Sequence, residues 1–175
     1  DNLTGRDSQE LDDLAEIIEG LANQLSRFSN WRVKHVGQAG ALPSHLQHTL
    51  EAAEQRSSQN SGLHINLAVG YGGRAEITGA VRRLVESHQH AGGTLDELPE
   101  NISVQAIADN LDTVGQPDPD LVIRTSGEQR LSDFMLWQSA HSEFYFVEAL
   151  GPDLREIDFL RALRDFGTRQ RRYGQ

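Results

Sequence analysis

Leu63-His64-Ile65-Asn66-Leu67-Ala68-Val69 followed at once by Gly70-Tyr71-Gly72-Gly73-Arg74 is the stretch on which the fold turns. A short apolar run halted by glycines reads as a strand and a tight turn, and residues 74–90 then carry a helical pattern. Upstream, Trp31 to Val36 alternates and ends at Gly37, a second short strand. Between the two strands, Pro43 to about Arg56 reads as a helix, and polar Ser57 to Gly62 as a loop. Strand, helix, strand in that order implies a βαβ unit with parallel strands.

Outward from this unit the alternation continues. Residues 8–28 carry Leu11, Leu14, Ile18, Leu21, Leu25 and Phe28 at helical spacing, with Asp7 and Glu10 as a capping pair. Gly92-Gly93 and Pro99 break the chain before a short helix at 103–110. Pro117-Asp118-Pro119 forms a turn before Leu121-Val122-Ile123, a compact run suited to a buried strand. A helix around Ser132 to Ser139, an aromatic strand at Phe144-Tyr145-Phe146 and a final helix from about Glu156 to Arg171 complete the pattern. Ile157, Leu160, Leu163 and Phe166 lie along one side of that last helix. The expected fold is α/β, a mostly parallel central sheet flanked by helices, in one domain over residues 1–175.

Composition removes several classes of function. The 175 residues contain no cysteine, which excludes disulfide scaffolds, thiolate metal sites and cysteine nucleophiles. Net charge is -10, which opposes nonspecific binding to nucleic acid. No apolar run is long enough to span a membrane. The seven histidines are scattered and show no metal-ligand spacing. Of the 16 basic residues only Lys34 is lysine, a bias that fits codon usage as well as phosphate capture by planar guanidinium forks.

In parallel sheets ligands sit beyond the carboxyl ends of the strands. Gly72-Gly73-Arg74 occupies one such end, where free backbone N–H groups can face an anion, although glycines there also serve as a plain turn. Arg124-Thr125-Ser126-Gly127-Glu128-Gln129-Arg130-Leu131-Ser132 occupies another and is more pointed. Two arginines and several hydroxyls within nine residues suit a diphosphate, each charged hydrogen bond contributing about 1.5–3 kcal/mol. A solvated loop with surface salt bridges fits the same spacing.

The run from Ile123 through Arg124, Thr125, Ser126, Gly127, Glu128, Gln129, Arg130, Leu131, Ser132, Asp133, Phe134, Met135, Leu136 and Trp137 to Gln138, then Ser142-Glu143-Phe144-Tyr145-Phe146, resembles the signature of cis-prenyltransferases, the (Z)-isoprenyl diphosphate synthases. Gly70-Tyr71-Gly72-Gly73-Arg74, terminal Arg171-Arg172-Tyr173-Gly174 and initial Asp1-Asn2-Leu3-Thr4-Gly5-Arg6 are similar to further family elements, so the likeness runs the whole chain. The middle region is similar to short-chain members such as (Z)-farnesyl diphosphate synthases. The resemblance implies a hydrophobic tunnel in the fold. It also implies condensation of isopentenyl diphosphate with an allylic diphosphate, geranyl or farnesyl, with release of diphosphate. On it, Arg124, Arg130, Leu131 and Ser132 hold isopentenyl diphosphate, and Glu143 ligates Mg²⁺. Leu3 and Arg6 border the allylic substrate, Arg172 and Gly174 reach the phosphates across a homodimer interface, and Asn2 positions or relays the departing proton.

The same resemblance implies a cytoplasmic enzyme with at most peripheral contact with a membrane. Against the family pattern, residues 1–175 lack an N-terminal strand, a catalytic Asp loop and a first helix, so a longer polypeptide is expected. That gap leaves open a non-catalytic partner subunit of a heteromeric enzyme. Asp12-Asp13-Leu14-Ala15-Glu16 resembles the D-D-x-x-D motif of trans-prenyltransferases, but its acids fall opposite Leu11, Leu14 and Ile18 and are expected to face solvent.

Overall fold

The computed structural model describes residues 7–169, and backbone contacts divide the chain after Gly115 into two compact units. In the first, the Asp7 carboxylate accepts from the Gln9 N–H at 2.7 Å and caps α1, Ser8–Leu25. There follow β1 (Trp31–Val36), a 3₁₀ turn at Ala39–Ala41, α2 (Ser44–Ser57), β2 (Leu63–Ala68), α3 (Gly73–His90), α4 (Leu98–Asn101) and α5 (Val104–Ala108). β1 and β2 pair in parallel from Trp31 opposite Leu63 to Val36 opposite Ala68, with α2 as the crossover. The βαβ reading therefore holds.

The core of this unit differs from the large-residue stripe read in α1. Ala15 and Ala22 are enclosed with Leu42, Leu46, Leu50, Ala53 and Val69, while Leu21 and Phe28 are exposed. Small side chains let the α1 backbone approach α2 closely. Asp12, Asp13 and Glu16 face solvent, as expected. Pro99 does not simply interrupt the chain: it sits in the first turn of α4, where its missing N–H has no helical partner to lose. α5 is shorter than expected and is capped by Ser103, whose Oγ accepts from the Ala106 N–H at 3.1 Å.

In the second unit β3 (Leu121–Arg124) pairs in parallel with β4 (Glu143–Phe146), placing Leu121 opposite Glu143 and Arg124 opposite Phe146. β3 is half-buried along its length rather than fully buried. Turns replace the helix expected around Ser132 to Ser139, because Ser132, Asp133 and Met135 have φ of 48°, 65° and 45°. Left-handed backbone at three of four successive positions cannot propagate a right-handed helix. After a 3₁₀ turn at Gly151–Asp153, α6 spans Glu156–Thr168, ending short of Arg171. It buries Asp158 and Ala162 and leaves Ile157, Leu160 and Leu163 exposed, so its apolar side is open. Among the described residues no helix is long and apolar enough to cross a membrane.

Two local devices lend themselves to measurement. Ser57 is fully enclosed; its Oγ accepts from the Val33 N–H of β1 at 2.9 Å and donates to the Ala53 carbonyl at 2.9 Å. Ser57→Ala strands a buried N–H, and urea unfolding should show about 1–3 kcal/mol of lost stability; an unchanged midpoint would contradict this role. At the start of α6, Asp158 accepts from the Arg155 guanidinium at 2.9 and 3.1 Å and from Arg161 at 3.2 Å. The Arg155 hydrogen bond foremost holds its carboxyl below the usual range. Its stabilisation is complete above the unfolded carboxylate value of about 3.9 and is lost as pH falls through the lowered folded value. Asp158→Asn should flatten the acid limb of the melting-temperature profile, and an unaltered limb would assign it elsewhere.

Candidate active site

The register of β3 on β4 builds the site. Alternation along a strand puts Val122 and Arg124 on one face, and their register partners Phe144 and Phe146 share it. The two phenyl rings stack with centroids 6.2 Å apart. Beyond Arg124 the chain stays tied to the segment after β4: the Val147 N–H donates to the Arg124 carbonyl, the Ser126 N–H to Ala149 and the Gly127 N–H to Val147, each at 2.8 Å. Ser126 and Gly127 have φ of 78° and 69°, which turns the chain back over the end of β3.

The turn closes around the Arg124 guanidinium. Its Nη1 donates to the Arg130 carbonyl and, at 2.9 Å, to Ser132 Oγ, and its Nη2 donates to Glu128 Oε2. Arg130 joins from the other side, with Nε donating to Ser132 Oγ at 3.2 Å and Nη2 to Glu128 Oε1 at 2.5 Å. Two cations thus share one hydroxyl and one carboxylate. Arg124 Nε is buried and has no hydrogen-bond partner among the described residues. Against this polar head lies a cleft of about 190 Å³ with Val122, Leu131, Phe134, Phe144 and Phe146 in its wall. An anionic head with a hydrocarbon body is the chemistry that complements it.

Of the residues singled out in the sequence, Arg124, Arg130, Leu131 and Ser132 come together here. Glu143 does not join them. It opens β4 opposite Leu121, three residues before Phe146 and so about 10 Å along the strand from the level of Arg124. There its Oε2 accepts from Arg169 Nη1 at 2.9 Å, and Arg169 also holds Asp165. Glu143 foremost, then Asp165, raises the Arg169 pKa. Asn2, Leu3, Arg6, Arg172 and Gly174 lie outside the described residues. In the first unit Gly72 caps α3, and the Tyr71 hydroxyl donates to the buried Glu76 carboxylate at 2.5 Å, so this turn has a structural anchor of its own.

Sequence reasoning missed two contributors. Glu128 lay between the two arginines in the quoted run, and its charge was the available signal. Phe134 stands exposed at the cleft wall, because the left-handed turns around it leave no helix to bury it.

The chain is similar to several known proteins. The family model described as putative undecaprenyl diphosphate synthase matches residues 1–174. "Isoprenyl transferase 1" of Tropheryma whipplei is 52% identical over 99% of this chain and 66% of its own length. A (2Z,6E)-farnesyl diphosphate synthase of Mycobacterium tuberculosis is 48% identical over 97% of this chain and 65% of its own. The crystal structure of lavandulyl diphosphate synthase from Lavandula x intermedia with dimethylallyl diphosphate superposes with a TM-score of 0.88 at 36% identity, covering 98% of this chain and 74% of that one. The chain spans about two thirds of the length of these curated relatives.

Ser132 offers a test of the turn itself. Its φ of 48° suits glycine better than any residue with a Cβ. Both Ser132→Gly and Ser132→Ala lose the shared hydroxyl, but only the alanine keeps the left-handed penalty. Ser132→Ala should therefore be about 1 kcal/mol less stable than Ser132→Gly in urea unfolding; equal stabilities would show that the turn relaxes.

Proposed function

This chain belongs to the prenyltransferase family described as putative undecaprenyl diphosphate synthases, and we propose that its protein condenses isopentenyl diphosphate with an allylic diphosphate, releasing diphosphate. The observation that carries this reading is the join between the Arg124–Arg130–Ser132 cluster and the apolar cleft. Planar guanidinium forks match phosphate oxygens, and the phenyl-lined wall beside them offers apolar surface to a branched hydrocarbon. At about 190 Å³ the cleft is below the roughly 300–1,000 Å³ of drug-sized pockets, a scale suited to a five-carbon unit.

Arg124, Arg130 and Ser132 then bind and orient the diphosphate of isopentenyl diphosphate, with Leu131 beside it. Fixing the head sets where the carbon–carbon double bond lies, and such positioning is itself a large catalytic effect. Asn2 holds the proton-transfer geometry without acting as a base, since a neutral amide is a poor one. Leu3 and Arg6 border the allylic partner, and Arg172 and Gly174 complete the phosphate site from a second copy in a homodimer. These five assignments rest on the resemblance of their segments. So do the cytoplasmic setting and at most peripheral membrane contact. The assembled cluster disfavours a partner subunit that lends only its tail.

Mg²⁺ dependence is part of the proposal. When bound, the ion neutralises charge on diphosphate oxygens. The described residues do not by themselves form its cage: no group of three ligating side chains converges among them. Glu143 is a carboxylate ion-paired with Arg169 and stands away from the arginine cluster. Mg²⁺ is commonly carried by one or two carboxylates plus substrate phosphates, and in that mode the resemblance would give it Glu143, whose pairing with Arg169 would first have to be released.

The full-length protein, incubated with labelled isopentenyl diphosphate, geranyl or farnesyl diphosphate and Mg²⁺, should give a chain-extended product, and chelation should stop it. Chromatography of the dephosphorylated product then separates short-chain from polyprenyl synthesis. Arg130→Ala should raise the KM for isopentenyl diphosphate about ten- to a hundredfold, the equivalent of one charged hydrogen bond. Unchanged KM would remove Arg130 from the site, and no extension despite substrate binding would overturn the enzymatic reading.

A further inference from the structure

We infer that Glu128 is a positioning residue that presets the spacing of Arg124 and Arg130 for diphosphate, a role that rests on the diphosphate reading of the cluster. Its carboxylate spans the two guanidinium groups, Oε2 on Arg124 and Oε1 on Arg130. An acidic group has no favourable direct contact with an anionic ligand, so Glu128 acts through the cations on either side of it.

The need for such a bridge follows from the exposure of the pair. Arg124 is 21% exposed, held in the turn by its bonds to Arg130 and Ser132 as well, whereas Arg130 is 67% exposed. A long cationic side chain beside another cation is driven into solvent by repulsion and by rotamer entropy. Glu128 opposes both. It anchors Arg130 at 2.5 Å and offsets the charge of the pair. A ligand that meets two already ordered forks loses less freedom on binding.

A rival effect acts in the other direction. The Glu128 charge repels an incoming diphosphate and competes with it for the same donors. Water and salt weaken both effects at a side chain that is 40% exposed, but Glu128 meets the two arginines in direct hydrogen bonds, whereas it meets the ligand only across their guanidinium groups. Ordering outweighs repulsion on this account. The two effects predict opposite signs for the same substitution.

Calorimetric binding of inorganic diphosphate, without added metal, is the direct measurement, paired with steady-state kinetics on isopentenyl diphosphate. Glu128→Ala should weaken diphosphate binding about tenfold and raise KM by a similar factor while kcat stays within about twofold, the pattern of a lost binding arrangement. Glu128→Gln, whose amide oxygen accepts from one guanidinium at a time, should fall between. Binding by Glu128→Ala that equals or exceeds that of the unaltered protein overturns the inference and makes Glu128 a resident competitor. A kcat loss without a KM change also overturns it. An unaltered protein that neither binds diphosphate nor extends a prenyl chain overturns the diphosphate reading itself, and the inference with it.

Discussion

The second unit is organised around one side chain. The Arg124 guanidinium carries the charge, the planarity and the several donors needed to hold a backbone carbonyl, a hydroxyl and a carboxylate at once. By doing so it closes the turn after β3 over the end of its own strand. Left-handed backbone at Ser126, Ser132, Asp133 and Met135 costs about 1–2 kcal/mol per residue in isolation, and persists only where the surroundings over-determine it. The hydrogen bonds that close the turn are also those that assemble the anion site. Local strain and ligand geometry are therefore coupled, and a lysine in this position would supply charge without the fork.

Parallel pairing does the remaining placement. Because Arg124 stands opposite Phe146 and Phe144 lies two positions back along the strand on the same face, a cation and an apolar wall are delivered together. The same register sends Glu143 to the far end of β4, into an ion pair with Arg169. A side chain with a prominent place in the sequence pattern is thus separated from the cluster by a few residues of strand. In the first unit the comparable glycine-rich turn is anchored by Tyr71 and the enclosed Glu76 carboxylate, whose second oxygen accepts from the Asp112 N–H at 3.1 Å.

Legibility followed the range of the forces involved. The βαβ unit, the Asp7 cap and the clustering of Arg124, Arg130 and Ser132 depend on residues close in sequence, on glycine turns and on hydrophobic period. What stayed hidden depends on what an element meets. Ala15 and Ala22 carry little hydrophobic signal, yet they are the enclosed positions of α1 because a neighbouring helix needs room there. The residues from Ser132 to Ser139 have an acceptable helical composition, but the hydrogen bonds of Arg124 and Arg130 to Ser132 favour another backbone path. Tertiary contact overrode local propensity.

From its letters alone this chain declares an α/β fold with parallel strands, an acidic thiol-free composition and a pair of arginines flanking a glutamate beyond a strand, because those traits are local or additive along the chain. Which of them touch was decided in three dimensions. The bridging of both guanidinium groups by Glu128, the opening of Phe134 onto the cleft and the separation of Glu143 from Arg124 are consequences of strand register and of left-handed turns. Neither has a period that a linear pattern can display, since both arise from hydrogen bonds between segments that only folding brings together.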